Sequence, residues 1–291
     1  MKPAPFTYHR PGDLDEALAL LTQLGPGAKP LAGGQSLGPM MNMRLARPEH
    51  VVDLNDLLDL DYVRIGEGSV EIGAMTRHHR VATDPEIAAA LPMLAHAAGG
   101  IGHYAIRQRG TLGGSMVHAD PAAQYPLVAV VLDAEVVIRS ARATRVVAAK
   151  DFVQSIMTVD LAPDELVTAI RFPCPAAGEG WGFELFSPRH GDFALVSVAL
   201  TLVGDAGDAI AGLRLGVGGV APVPLRLSPV EDEAQGLSRG RAAAGALGEL
   251  AASHVTPEDD AQVPAAYRRE LVATLTTRAF AAAAQRLGRH A

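Results

Sequence analysis

Two stretches about eighty residues apart restrict this chain more than any other feature. Leu31-Ala32-Gly33-Gly34-Gln35-Ser36 and Gly110-Thr111-Leu112-Gly113-Gly114-Ser115 each set two adjacent glycines ahead of a small amide or hydroxyl residue. Neighbouring residues without Cβ atoms let consecutive peptide N–H groups turn toward one anion. A fold that brings both stretches to one surface therefore has the two halves of a diphosphate cradle. No lysine or arginine stands between the glycines of either stretch, so such a cradle relies on peptide dipoles, the Ser36 and Ser115 hydroxyls and a helix N-terminus. A lone Gly-Gly in a chain with 30 glycines reads as a turn; the weight comes from the repetition. Neither stretch is a P-loop or a Gly-x-Gly-x-x-Gly dinucleotide fingerprint.

Composition narrows the classes. At 291 residues, 48% hydrophobic and 20% charged, the chain has ordinary globular composition and room for two cores. Aromatics make up only 4%, so aliphatic and alanine packing must fill the interior. A net charge of -7 leaves no basic surplus to neutralise phosphates, and no nucleic-acid partner is expected. Cys174 is the single cysteine; it makes no intrachain disulfide and cannot ligate an iron–sulfur cluster, which takes four ligands. Met1-Lys2-Pro3-Ala4-Pro5-Phe6 has no apolar signal core, and no apolar run is long enough for a transmembrane segment, so a cytoplasmic location is expected.

Along the chain, Asp13 and Glu16 precede Ala17, Leu18, Leu20, Leu21 and Leu24, which predicts a capped amphipathic helix ended by Gly25-Pro26. A strand at 29–32 enters the first glycine stretch, Pro39 opens a helix, and Met40, Met41 and Met43 are expected to pack in the core. Val51 to Leu54 reads as the next strand, with Asp53 and Asn55 at its end. Alternation at Val63, Ile65, Val70 and Ile72 predicts a hairpin, placing a seam at 56–61. Thr76 is expected to cap a helix through His78 and His79. These two lie about 100° apart on a helix, and no metal is assigned to them. Asp84-Pro85 starts another helix.

Asp120, just before Pro121, has two readings: a cap for the helix running to Leu132, or an acceptor for a ligand hydroxyl that also braces the glycine loop. A second hairpin at 135–147, a short helix from Asp151 and a strand before Pro173 lead to a proline- and glycine-rich linker at 175–180. Beyond it, strands at 182–186, 194–200 and 213–217 precede helical stretches at 231–253 and 267–287. The last has Leu271, Leu275, Phe280 and Ala284 on one face, which suggests an antiparallel sheet backed by helices. The expected division is 1–175, in subdomains 1–56 and 57–175, and 180–291.

Taken together, Ala32-Gly33-Gly34-Gln35-Ser36 with Met40-Met41-x-Met43-Arg44, Ile106-Arg107-x-Arg109-Gly110-Thr111-x-Gly113-Gly114-Ser115-x-x-His118-Ala119-Asp120-Pro121-Ala122-Ala123, and Arg189-His190-Gly191-Asp192-Phe193-Ala194 resemble one family. It is the FAD-binding medium subunit of the molybdenum hydroxylases, which include xanthine dehydrogenase and molybdenum-type carbon monoxide dehydrogenase. The resemblance covers essentially the whole chain, in order. It implies an α+β protein: a two-subdomain FAD-binding fold of the vanillyl-alcohol-oxidase (PCMH) type plus a C-terminal domain of antiparallel sheet and helices. It also implies non-covalent FAD with its diphosphate on the two glycine loops, contacted by Leu31, Ala32, Gly33, Gly34, Gln35, Ser36, Thr111, Gly113, Gly114 and Ser115. Asp120 and Gln124 are then expected near the ribityl or adenosine portion, and the backbone at Leu166 near the flavin ring. Two positions depart from the family pattern. Leu185 stands where several relatives carry a lysine near the flavin, and Phe193 stands where some have a gating tyrosine, leaving an apolar lid without a hydroxyl.

The function the resemblance implies is an electron-transfer flavoprotein subunit of a heterotrimer. A small subunit holds two [2Fe-2S] clusters, a large subunit holds the molybdopterin cofactor, two heterotrimers pair, and an external acceptor takes the electrons. The cofactor carries the redox chemistry, so no side chain is assigned as an acid–base catalyst; His103, His118 and His190 are expected in loop or core hydrogen bonding. A self-contained flavin oxidase would need a positioned base that the sequence does not display. A nucleotide-binding scaffold without turnover is the third possibility.

Overall fold

The computed structural model describes residues 2–261 and 263–287. Its first helix, Leu14–Leu24, begins where Asp13 accepts a hydrogen bond from the Glu16 N–H at 2.8 Å and stops at Gly25, whose φ is 61°. Ala17, Leu18 and Leu21 are buried on one face. They meet a three-stranded parallel sheet in which His50–Asp53 lies between Thr7–His9 and Ala28–Leu31. Because the pairing is parallel, with Leu31 opposite Asp53, the chain leaves both strands on the same side. Gly33 and Asn55 emerge together at the carboxyl edge, where open parallel sheets place ligands.

The helix after this loop is Leu37–Asn42, starting two residues before Pro39. Only Met41 of the expected methionine face is fully buried, and Met43 is 49% exposed. The reason is helical geometry: residues 41 and 43 stand about 160° apart around the axis, so one facing inward turns the other to water.

A five-stranded antiparallel sheet follows, in the order Val63–Ile65, Ser69–Gly73, Leu166–Pro173, Glu135–Arg139 and Thr144–Ala148. Ile72, Val136, Ile138, Ile170 and Phe172 bury one face against helices that include Pro92–Gly99, Leu112–His118 and Gln124–Val131. The expected caps differ here in part. Asp84 caps Pro85–Ala90 through the N–H groups of Glu86 and Ile87, as its sequence predicts. Thr76 does not cap His78–Thr83, because its hydroxyl donates to the Tyr62 carbonyl at 3.3 Å and Arg77 occupies the cap position.

The helix Gln124–Val131 is buried at every position. It packs on one side against neighbouring helices of this core and on the other against a four-stranded antiparallel sheet of Gly180–Phe186, Val196–Gly204, Ile210–Gly218 and Leu225–Arg226. The far face of that second sheet carries Ala265–Arg286, and Arg241–Ser253 packs in turn on that helix. In Ala265–Arg286, Leu271, Val272, Leu275, Thr276, Ala279, Phe280 and Ala283 make the buried stripe, with Ala284 at its margin. The expected helical stretch at 231–253 is two helices, Ser228–Ala234 and Arg241–Ser253, parted at Gly236 with φ 81°. Among the described residues, no helix is long and apolar enough to cross a membrane.

Candidate cofactor site

The fold brings the two glycine stretches into contact. A Cβ on Gly33 would stand 2.1 Å from the Arg109 carbonyl oxygen and 2.7 Å from the Gly110 Cα, so only glycine allows the approach. On the other side, a Cβ on Gly114 would lie 3.6 Å from that of Ala32.

Two side chains lock the meeting. The Asn55 amide donates to the Ala32 carbonyl at 2.9 Å. Arg77 donates to Asn55 Oδ1 at 2.8 Å and, through its other terminal nitrogen, to the Arg109 carbonyl at 2.9 Å. The result is a bridge from one loop to the other through a half-buried guanidinium. Arg77 was not singled out from the sequence, and Asn55 was noted only as a strand end. Neither carries a local signal for the bridge, because the partners that form it lie 22 to 32 residues away.

The loops differ in what they leave free. The N–H groups of residues 33–36 donate to nothing among the described residues, and Gly34 at φ 69° turns them around a tight corner. Gln35 ties this corner by donating its amide to the Gly33 carbonyl at 2.9 Å. In the second loop the donors are engaged. Leu112 N–H goes to the Thr76 carbonyl at 3.0 Å, Gly113 N–H to that of Ala74 at 2.9 Å, and Gly114 N–H to the Thr111 hydroxyl at 3.1 Å. Ser36 and Ser115 keep half-buried hydroxyls with no partner among the described residues. A diphosphate fits this surface: free peptide donors on one side, a free hydroxyl on each side, no acidic side chain in either loop, and glycine at the point of closest approach.

Behind the second loop lies His78, 5% exposed, whose N–H donates to the Gly110 carbonyl at 2.9 Å. Its ring meets the buried Tyr125 edge-on at 5.2 Å; His78 Nδ1 and the Tyr125 hydroxyl are both buried without hydrogen-bond partners among the described residues. Burial, followed by the nearby Arg77 and Arg107 charges, holds the imidazole pKa down at about 4. The second loop thus rests on a neutral histidine.

The remaining expected positions surround this centre. Asp120 does not cap Gln124–Val131, whose cap position is Ala123; its Oδ1 accepts from the Ala122 N–H at 2.8 Å in an Asx turn, and its other oxygen has no partner among the described residues. Pro121 and Ala122 put too much chain between Asp120 and the helix for capping. Gln124 is 7% exposed at the first turn of that helix. Leu166 is 4% exposed and packs with Leu57, Leu60 and Met75 in the small N-terminal core, next to Thr168, whose carbonyl receives the Ala74 N–H at 2.9 Å. Leu185 approaches Gly100, and Phe193 is 63% exposed in a loop of the C-terminal sheet.

Comparison with known proteins places these features in context. Residues 4–175 match the family model described as the FAD binding domain in molybdopterin dehydrogenase, and residues 181–283 match the CO dehydrogenase flavoprotein C-terminal domain. The carbon monoxide dehydrogenase medium chain of Afipia carboxidovorans is 36% identical, covering 96% of each chain. The nicotine 6-hydroxylase medium subunit of Paenarthrobacter nicotinovorans is 37% identical over 98% of this chain and 100% of its own. A chain of the solved carbon monoxide dehydrogenase of Hydrogenophaga pseudoflava superposes with a TM-score of 0.94 at 35% identity, covering 99% of this chain and 100% of that one.

Proposed function

The chain belongs to the FAD-binding medium-chain family of the molybdopterin dehydrogenases, and from that premise we propose that it is the electron-transfer flavoprotein subunit of a heterotrimeric molybdenum hydroxylase. The observation that carries the reading is the joined pair of glycine loops, with unspent N–H groups at 33–36 and free hydroxyls at Ser36 and Ser115. Non-covalent FAD, when bound, would supply the redox chemistry of this electron transfer.

This chain's own residues hold and orient. The 33–36 donors and the two serines grip the diphosphate, and Arg77 with Asn55 keeps the loops in register for it. The free carboxylate oxygen of Asp120 accepts from a ribityl or ribose hydroxyl while Oδ1 fixes the turn; Gln124 lies beside it. Peptide groups at Leu166 would border the ring, and Phe193 would serve as an apolar lid over it. Residues 1–175 bind the cofactor, between subdomains 1–56 and 57–175, and 180–291 form the C-terminal domain. In the assembly, a small subunit with [2Fe-2S] clusters and a large subunit with the molybdopterin cofactor complete the relay, two heterotrimers pair, and the complex works in the cytoplasm.

The visible spectrum of the purified chain, with chromatography of the flavin released on denaturation, tests this directly. We expect non-covalent FAD near one per chain, reduced by substrate only when the partner subunits are present. A chain that holds no flavin, and takes up none when FAD is added to it or to the assembled complex, overturns the reading.

A further inference from the structure

His103 stands at the cap of Tyr104–Arg109, the helix that runs into the second glycine loop. The segment before it is rigidly held, because Arg107 Nη1 donates to the Ile101 carbonyl at 3.0 Å and to the Gly102 carbonyl at 2.8 Å. On the exposed side of His103 lies the 187–193 loop of the C-terminal sheet. A Cβ on Gly191 would stand 2.4 Å from His103 Cε1, 2.7 Å from Nδ1 and 2.9 Å from Nε2. Three ring atoms at such similar distances put that Cβ position over the imidazole face, so the Gly191 Cα packs directly against the ring. Gly191, at φ 89°, has both the conformation and the missing side chain this contact needs.

His190 flanks the same ring, with centroids 6.1 Å apart and planes at 34°. The loop is closed by its own bonds, Ser187 hydroxyl to Arg189 carbonyl at 2.9 Å and Asp192 N–H to the same carbonyl at 3.1 Å. The His103 side chain has no hydrogen bond among the described residues, so its ring face alone makes the seat.

We propose that His103 is a positioning residue whose imidazole face seats the 187–193 loop, and thereby the Phe193 side chain, so that this packing sets how readily an electron acceptor reaches the flavin. The proposal rests on the flavin reading given above. A planar ring is what the contact uses; hydrogen bonding is not.

The test combines two readouts on the full-length protein. The first is the rate of tryptic cleavage after Arg189, an exposed loop residue, located by mass spectrometry. It follows the open-loop population and needs no flavin. The second is the reoxidation rate of photoreduced protein by dioxygen and by 2,6-dichlorophenolindophenol. In His103→Ala both rates should rise about fivefold, the change expected for losing one packed contact. His103→Phe should restore both, and His103→Asn should not. Gly191→Ala should behave like His103→Ala.

Bound FAD is quantified in every variant, which separates the two readings. If cleavage accelerates in a chain that cannot hold FAD, the seat stands and the flavin reading falls. A fully flavinated His103→Ala protein with unchanged reoxidation overturns the proposal, whatever the cleavage rate. Rescue by asparagine but not phenylalanine also overturns it.

Discussion

The two glycine loops are nearly matched in composition and do different work. Loop 33–36 lies at the carboxyl edge of a parallel sheet with its peptide donors free; loop 110–115 spends Leu112, Gly113 and Gly114 donors on Thr76, Ala74 and Thr111. The first is a surface that offers hydrogen bonds. The second is a wall, met at Arg109 and Gly110 by Gly33 of the first loop and stitched to the Ala74 to His78 segment behind it. A Gly-Gly pair therefore states where backbone comes close, and only the partners of each N–H show whether the closeness serves a ligand or the fold.

The strongest way to break the pairing is Gly33→Val. Its Cβ would overlap the Arg109 carbonyl, which is backbone and cannot step aside, so a loss of about 3 kcal/mol is expected from overpacking. Urea unfolding should register that loss, and the purified variant should carry no flavin. A folded Gly33→Val protein with its full flavin complement would show that the loops need not touch.

Acid should separate the loops next, because only the second rests on a buried titratable ring. The folded His78 pKa of about 4 is below its ordinary 6.5, so between these values the unfolded chain binds more protons than the folded one. Stability is complete above pH 6.5 and falls as pH drops through that window, by about 3 kcal/mol once both values are passed. His78→Gln should remove this part of the slope in urea midpoints measured from pH 7.5 to 4.5. An unchanged slope would mean that His78 gains a partner which lets it ionise in place.

The smallest effect distinguishes a one-sided from a two-sided grip. Ser36→Ala and Ser115→Ala should each weaken FAD binding about fivefold, the net worth of a single hydrogen bond, with stability unchanged. Titration of flavin-stripped protein would reveal it. If only Ser36→Ala loses affinity, the second loop is wall alone.

Much of the architecture was legible because it rests on local signals. The Asp13 cap, the Gly25 stop, both hairpins and the Asp84-Pro85 helix start follow from residues within a few positions of one another. The expectations that failed needed information the local pattern lacks. Thr76 found a carbonyl on the neighbouring hairpin instead of a helix end, and Met43 was turned outward by the position of Met41. Of the two readings of Asp120 only the capping one failed, because Asp120 braces its own turn and three further residues separate it from the helix. Of the site, the glycines and serines could be picked out; the Asn55 and Arg77 bridge could not.

The amino-acid sequence by itself determined where this chain lacks side chains and where it carries hydroxyls, and through its periodicities which segments form strands and helices. Those properties belong to single residues and near neighbours. The tertiary structure alone decided that residues 33 and 109 meet, that one loop keeps its donors while the other spends them, and that Gly191 lies on His103. Each depends on atoms far apart in the chain, and a hydrogen-bond donor is free or engaged only once the fold has brought its partners within reach.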